Sequence, residues 1–161
     1  MRLARSAGAL LCAGALAATS GCHSNSPTAP TGVLRAVLVL SVTPNPLKGT
    51  ITNVVGPVFT TQWTLKIQET AGLGGVVQQV KASIYDDTSG VLVSTTLFDD
   101  KDLIVFVGTN RIEPNGSLEV PQQLSYQLSP NQTAASLTLS VQFKDDKGLV
   151  QEPSFLVKIT L

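Results

Sequence analysis

Histidine and cysteine are almost missing from this chain of 161 residues: His23 is the single histidine, and Cys12 and Cys22 are the two cysteines. One histidine, set in a Ser- and Pro-rich stretch near the start, excludes a Ser-His-Asp triad and His-based general-base chemistry in the sequence that follows. With no His/Cys cluster, zinc and copper sites are excluded too. Long apolar runs are also missing. The longest, Ala7 to Ala18, has twelve residues, too few to cross roughly 30 Å of hydrocarbon as a helix. Charged residues make up 14% of the chain and sum to zero, with no basic cluster that would suit nucleic acid. No segment sustains a 3.6-residue period, so helix content is expected to be small. These gaps leave no catalytic set: the chain is expected to be no enzyme and to use no cofactor.

What is present begins with an export signal. Arg2 and Arg5 precede the apolar run, Thr19-Ser20-Gly21-Cys22 follows it, and a polar, Pro-containing stretch runs from His23 to Gly32. Basic start, short apolar core and small residues are the layout of a secretory signal peptide. Ser20, Gly21 and Cys22 resemble the lipobox of bacterial lipoproteins, with Thr19 standing where Leu is usual. The resemblance implies cleavage before Cys22, diacylation of its sulfur, and attachment to the bacterial cell envelope through that residue. His23 in place of Asp resembles the class sorted to the outer membrane if the cell is Gram-negative. The alternative is plain secretion with a cut after Ala15-Leu16-Ala17, which leaves Cys22 as a stray thiol. The expected organisation is therefore a signal peptide over 1–21, the lipidated cysteine and a flexible tether over 22–32, and one folded domain over 33–161.

Removing the signal leaves nine basic and eleven acidic residues, since Arg2 and Arg5 depart and no acid does: 9 − 11 = −2. Cys12 departs as well, so no intramolecular disulfide can form. The remaining length is enough to bury a core without crosslinks.

From Val33 onward the hydrophobic period is two. Leu34, Ala36, Leu38, Leu40 and Val42 share a face, and Val37 and Val39 make the other face apolar, which predicts a first strand buried on both sides. Pro44 and Pro46 end it. Lys48-Gly49-Thr50 is expected to turn into a strand over 51–55. Trp63, Leu65 and Ile67 alternate with Gln62, Thr64 and Lys66, and Trp63 is assigned to the core. Gly72-Leu73-Gly74-Gly75 lacks the context of a phosphate loop and reads as a flexible hairpin loop. Strands are expected over 76–85, 91–98 and 103–107, then through Leu124, Tyr126 and Leu128. Leu137 to Phe143 and Phe155 to Leu161 alternate cleanly. Turns are expected at Asp86–Gly90, Glu113–Ser117 and Asp145–Gly148. Asn115-Gly116-Ser117 and Asn131-Gln132-Thr133 match a glycosylation pattern by chance.

Seven to nine short strands with turns between them predict an all-β, antiparallel sandwich. Ser41 to Pro46, resembling a proline-interrupted first strand, and Ser136 to Gly148, resembling a late strand running into its hairpin, make the domain resemble the immunoglobulin-like modules of bacterial surfaces. The Cys…Trp…Cys spacing is absent, and Trp63 falls on the second strand of that plan.

Carboxylates at the strand ends are the remaining chemistry: Asp86 and Asp87; Asp99, Asp100 and Asp102; Asp145 and Asp146. They read first as solvated turn residues. If loops carrying them met at one end, they would make an oxygen-rich Ca²⁺ site, although none shows the D-x-D-x-D-G spacing. The functional expectation is a lipid-anchored envelope module that binds a protein or an extracellular ligand. The alternative is a carbohydrate-active or calcium-dependent domain using those acids.

Overall fold

The computed structural model describes residues 34–53, 58–128, 132 and 134–161. The signal peptide, Cys22 and the tether lie outside the described residues, as do the far end of the 51–55 strand and most of Asn131-Gln132-Thr133.

Among the described residues ten strands and one helix follow in the order β1 (Leu38–Thr43), β2 (Leu47–Asn53), β3 (Val58–Glu69), β4 (Gly75–Asp86), β5 (Leu92–Asp99), α1 (Asp100–Val107), β6 (Arg111–Ile112), β7 (Ser117–Gln127), β8 (Ala134–Asp145), β9 (Val150–Gln151) and β10 (Ser154–Thr160). Eight of the strands have six residues or more, within the seven to nine expected, and β6 and β9 are only two residues long. In one layer β3 pairs antiparallel with β7 along its whole length on one edge, and with β1 and then β2 on the other. In the second layer the order is β10-β8-β4-β5, all antiparallel. A short parallel pairing of Leu47 and Lys48 with Ile159 and Thr160 ties β2 to β10 and joins the layers at that side. With β1, β3 and β7 facing β4, β8 and β10, this is the immunoglobulin-like arrangement of strands A, B and E against C, F and G. β5 adds a strand beside C, and α1 with β6 takes the chain position of strand D.

Period-two alternation makes the core. Trp63, Leu65 and Ile67 point inward from β3; Val80, Ala82 and Ile84 from β4; Leu137, Leu139, Val141 and Phe143 from β8; Val157 and Ile159 from β10. The inward residues of the two layers form one apolar cluster, as in two sheets packed face to face.

Four local expectations fail, each for a physical reason. β1 is one-sided: Ala36 and Val42 are buried, whereas Val37 and Val39 are 51% and 50% exposed, because no third layer among the described residues covers them. Lys48-Gly49-Thr50 is strand, not turn. Pro44 and Pro46 interrupt the strand without turning it back, since β1 and β2 both run antiparallel to β3, and Gly49 is needed where a Cβ would meet the Tyr126 hydroxyl and Leu161 Cδ2, both at 2.6 Å.

Residues 103–107 form the end of α1 rather than a strand. Asp99 caps it by accepting the Lys101 and Asp102 N–H groups, both at 2.9 Å, while Asp102 accepts the Asp99 N–H at 3.2 Å. This reciprocal capping box satisfies orphan donors at the start. Gly108, at φ 86°, closes the other end by donating to the Ile104 carbonyl at 3.0 Å. Eight residues are too few to hold a helix alone; burial of Leu103 and an edge-on contact of Phe106 with Phe98, 5.6 Å between centroids, dock it.

The glycine-rich stretch 72–75 is not a hairpin loop. It crosses from β3 in one layer to β4 in the other, and β3 and β4 share no ladder. Gly75 is enclosed there: a Cβ would collide with the Lys144 carbonyl and come within 2.8 Å of the Asp145 Cα.

Candidate functional site

The outward face of the β2-β3-β7 layer carries two concave surfaces. Thr50 and Thr52 project from β2, Thr60, Gln62 and Thr64 from β3, and Gln123 and Ser125 from β7, because their neighbours Phe59, Trp63 and Tyr126 occupy the alternate, inward positions. Two adjoining depressions of about 560 and 390 Å³ share Pro44, Gln62 and Gln123 along their common border. Gln62 Nε2 donates to Gln123 Oε1 at 2.7 Å, the Thr60 and Ser125 hydroxyls are 3.0 Å apart, and Thr52 Oγ1 donates to the Val58 carbonyl at 3.0 Å. The Gln62–Gln123 and Thr60–Ser125 cross-strand pairs sit in register, since Thr60 opposes Ser125 and Gln62 opposes Gln123. The surface is therefore an ordered set of neutral donors and acceptors. Among the described residues, Lys48 is the one charged residue bordering either depression. It suits hydrogen bonding to an uncharged polar partner rather than ion pairing.

Behind that face the interior is unusually polar. Thr61 Oγ1, Trp63 Nε1, both amide atoms of Gln122 and the Tyr126 hydroxyl are buried without a protein partner. Burial pushes the Tyr126 phenol up to about 12. Trp63 is buried, as a core residue should be, and stands on β3, the strand equivalent to B.

The acidic residues do not meet. Asp86 and Asp145 lie at opposite ends of the β4–β8 ladder, where Asp86 opposes Ala135 and Gly75 opposes Asp145. Eleven residues of strand separate those ends, roughly 35 Å. Each acid instead holds its own turn. Asp86 Oδ1 accepts the Thr88 and Ser89 N–H groups at 2.8 and 2.9 Å; Asp145 Oδ1 accepts those of Lys147 and Leu149, both at 2.9 Å. The second oxygen of each is buried and unpartnered. Gly90 and Gly148, at φ 69° and 86°, finish the two turns alike. The similarity of the two segments is thus one turn chemistry used twice.

Asp87 pairs with Lys158 at 2.6 Å, and that ammonium holds its carboxyl below the usual range. Asp146 takes both terminal nitrogens of Arg111 at 3.0 Å, which lowers Asp146 and raises Arg111. Asp99 and Asp102 serve the helix cap, and Asp100 accepts the Lys101 N–H at 3.0 Å. Among the described residues no three His, Cys, Asp or Glu side chains are placed to share a metal ion.

Glu69 is the carboxylate that sequence reading passed over. It is fully screened from solvent under a thin layer of loop. Its two oxygens accept five backbone N–H groups: Ala71 at 2.7 Å, Gly72 at 2.9 Å, Asn115 at 3.0 Å, Leu73 at 3.1 Å and Val37 at 3.3 Å. Burial alone raises its pKa; bonds from Asn115, Ala71, Val37 and Gly72 outweigh this and hold it below the ordinary value. One side chain so joins the start of β1, the β3–β4 crossing and the β6–β7 turn. The available signal was parity: 63, 65, 67 and 69 all point inward.

The chain matches no protein-family model and no curated protein. Among solved structures it is similar to the Northeast Structural Genomics Consortium target SoR45, at 12% identity and TM-score 0.55, over 74% of this chain and 84% of that one. It is also similar to a Bordetella pertussis protein described as ApaA, at 14% identity and TM-score 0.54, over 78% of this chain and 96% of that one. At such identities the likeness is one of fold.

Proposed function

We propose that the protein is a non-catalytic, lipid-anchored module of the bacterial cell envelope that binds an uncharged, polar partner surface through its β2-β3-β7 face. The partner is an envelope protein or an extracellular ligand. The observation that carries the binding reading is the in-register row of amide and hydroxyl groups, preordered by cross-strand hydrogen bonds around two depressions. Preordered donors and acceptors lose little freedom on binding. The anchor reading stands on Thr19-Ser20-Gly21-Cys22 behind a basic start and a short apolar run. Two or more acyl chains hold firmly where one binds only marginally.

Labelled palmitate tests the anchor. Incorporation by the wild type, and its loss in Cys22→Ser together with release from the membrane fraction, is the expected result; an unlabelled, freely soluble wild type overturns it. The calcium and carbohydrate alternative gains no support from the acids, which are held in separate turns.

A further inference from the structure

We propose that the end of the sandwich where the chain enters β1 lies against a lipid bilayer, with Leu34, Val37, Leu149 and Val150 as the contacting side chains. This inference rests on the anchor reading at Cys22. Leu34 and Val150 are 58% and 54% exposed, and Val37 and Leu149 are 51% and 37% exposed. They come from segments far apart in sequence. Gln151 Nε2 donates to the Ala36 carbonyl at 3.1 Å, which seats the β8–β9 hairpin next to the start of β1. Arg35, Leu149, Val150 and Gln151 line one cleft of about 140 Å³ there, with Asp145.

Exposed cations stand among these apolar side chains. Asp145 is buried in its turn and Asp146 is taken up by Arg111. Among the described residues Arg35, Lys144 and Lys147 are exposed with no acid within salt-bridge distance, while Glu152 and Glu113, the latter paired with Arg111, are exposed acids at the same end. Apolar side chains with cations among them match the boundary between headgroups and acyl chains.

Distance selects the bilayer as occupant. Twelve residues separate Cys22 from Leu34, a span of at most roughly 40 Å when fully extended. An acyl group on Cys22 therefore keeps this end within that distance of the membrane, at a high effective concentration. A patch too weak to bind vesicles on its own is then populated. The opposite end, at the Asp86–Val91 turn, is a further length of β4 away.

Acylation consumes the Cys22 sulfur, so an introduced cysteine is the single thiol of the processed chain. Val150→Cys, Ser89→Cys and Val105→Cys, each expressed as the full chain, acylated, labelled with bimane and reconstituted into phosphatidylethanolamine/phosphatidylglycerol vesicles carrying doxyl-lipid quencher, provide the test. All three positions are exposed, so folding is not at stake. Quenching severalfold stronger at Val150 than at Ser89 and Val105 is the expected result. Equal quenching at all three, or strongest quenching at Ser89 or Val105, in protein that floats with the vesicles overturns the proposal and leaves the anchor standing. Protein that fails to acylate and float overturns the anchor reading, and this inference with it.

Discussion

Glu69 accepts the backbone N–H of Asn115, 46 residues downstream, at 3.0 Å, and the same carboxylate holds the chain at Val37, Ala71, Gly72 and Leu73. One buried charge thus organises one end of the sandwich, where the start of β1, the interlayer crossing and a turn meet. Its hydrogen bonds are charge-assisted and therefore stronger than neutral ones.

Glu69→Gln is expected to cost roughly 2–3 kcal/mol, because an amide replaces the anionic acceptor and turns one oxygen into a donor facing N–H groups. Urea unfolding at pH 7 checks this. The pH dependence follows from the depressed folded-state pKa. Between that value and the unfolded one near 4.5, the unfolded chain binds more protons, so stability is full above the unfolded value and falls as pH drops through the folded one. Asp87, depressed by Lys158, acts in the same direction. Unfolding followed from pH 7 downward should show this loss, with a shallower slope in Glu69→Gln; an unchanged slope contradicts the assignment.

Two glycines are expected to respond differently to alanine. Gly75→Ala drives a Cβ into the Lys144 carbonyl and the Phe143 ring, in a place enclosed by backbone. Overpacking of this kind costs about 1–3 kcal/mol or more. Gly90→Ala meets nothing within 4 Å, and only its φ of 69° is unfavourable, which costs about 1 kcal/mol. Denaturation midpoints should rank wild type above Gly90→Ala and Gly90→Ala above Gly75→Ala.

Asp99→Ala removes the acceptor for the Asp102 N–H and one of the two acceptors for the Lys101 N–H at the start of α1, a loss of about 1 kcal/mol. Hydrogen exchange should report it first in 101–104, with the β4–β8 ladder unaffected. Uniform deprotection of the whole domain would mean that α1 is part of the cooperative core instead.

The Gln62→Ala/Gln123→Ala pair tests the binding face. Both side chains are exposed, so unfolding stability should change by no more than roughly 0.5 kcal/mol. Crosslinked envelopes should nevertheless yield less of the partner recovered with the wild type. Equal recovery of a defined partner by both proteins places the contact elsewhere.

Much of the architecture was legible because alternation is a direct consequence of a two-layer sandwich. Trp63 to Ile67 and Leu137 to Phe143 could face the core in one parity only, and the Asp-and-Gly turns at 86–90 and 145–148 carry their own hydrogen-bonding chemistry. What escaped is what depends on partners distant in sequence. An apolar run over 103–107 fits strand or helix equally; the caps at Asp99, Asp102 and Gly108 chose helix, and the docking of Leu103 and Phe106 against the sandwich retained it. Glu69 has the parity of a core residue and the charge of a surface one. Only the convergence of five backbone donors lets it be buried. Likewise Gln62 and Gln123 are unremarkable as residues, and the β3–β7 register makes them a pair.

The amino-acid sequence alone determined the period of two, the turns at 86–90, 113–117 and 145–148, and the resemblance around Cys22, since each is a property of residues near one another in the chain. Tertiary structure decided which apolar faces stayed uncovered, where the acids were separated, that the glycine-rich stretch joins two layers, and which side chains line the polar face. Those depend on which strands lie side by side, and that pairing is a collective outcome of packing that no local stretch of the chain encodes.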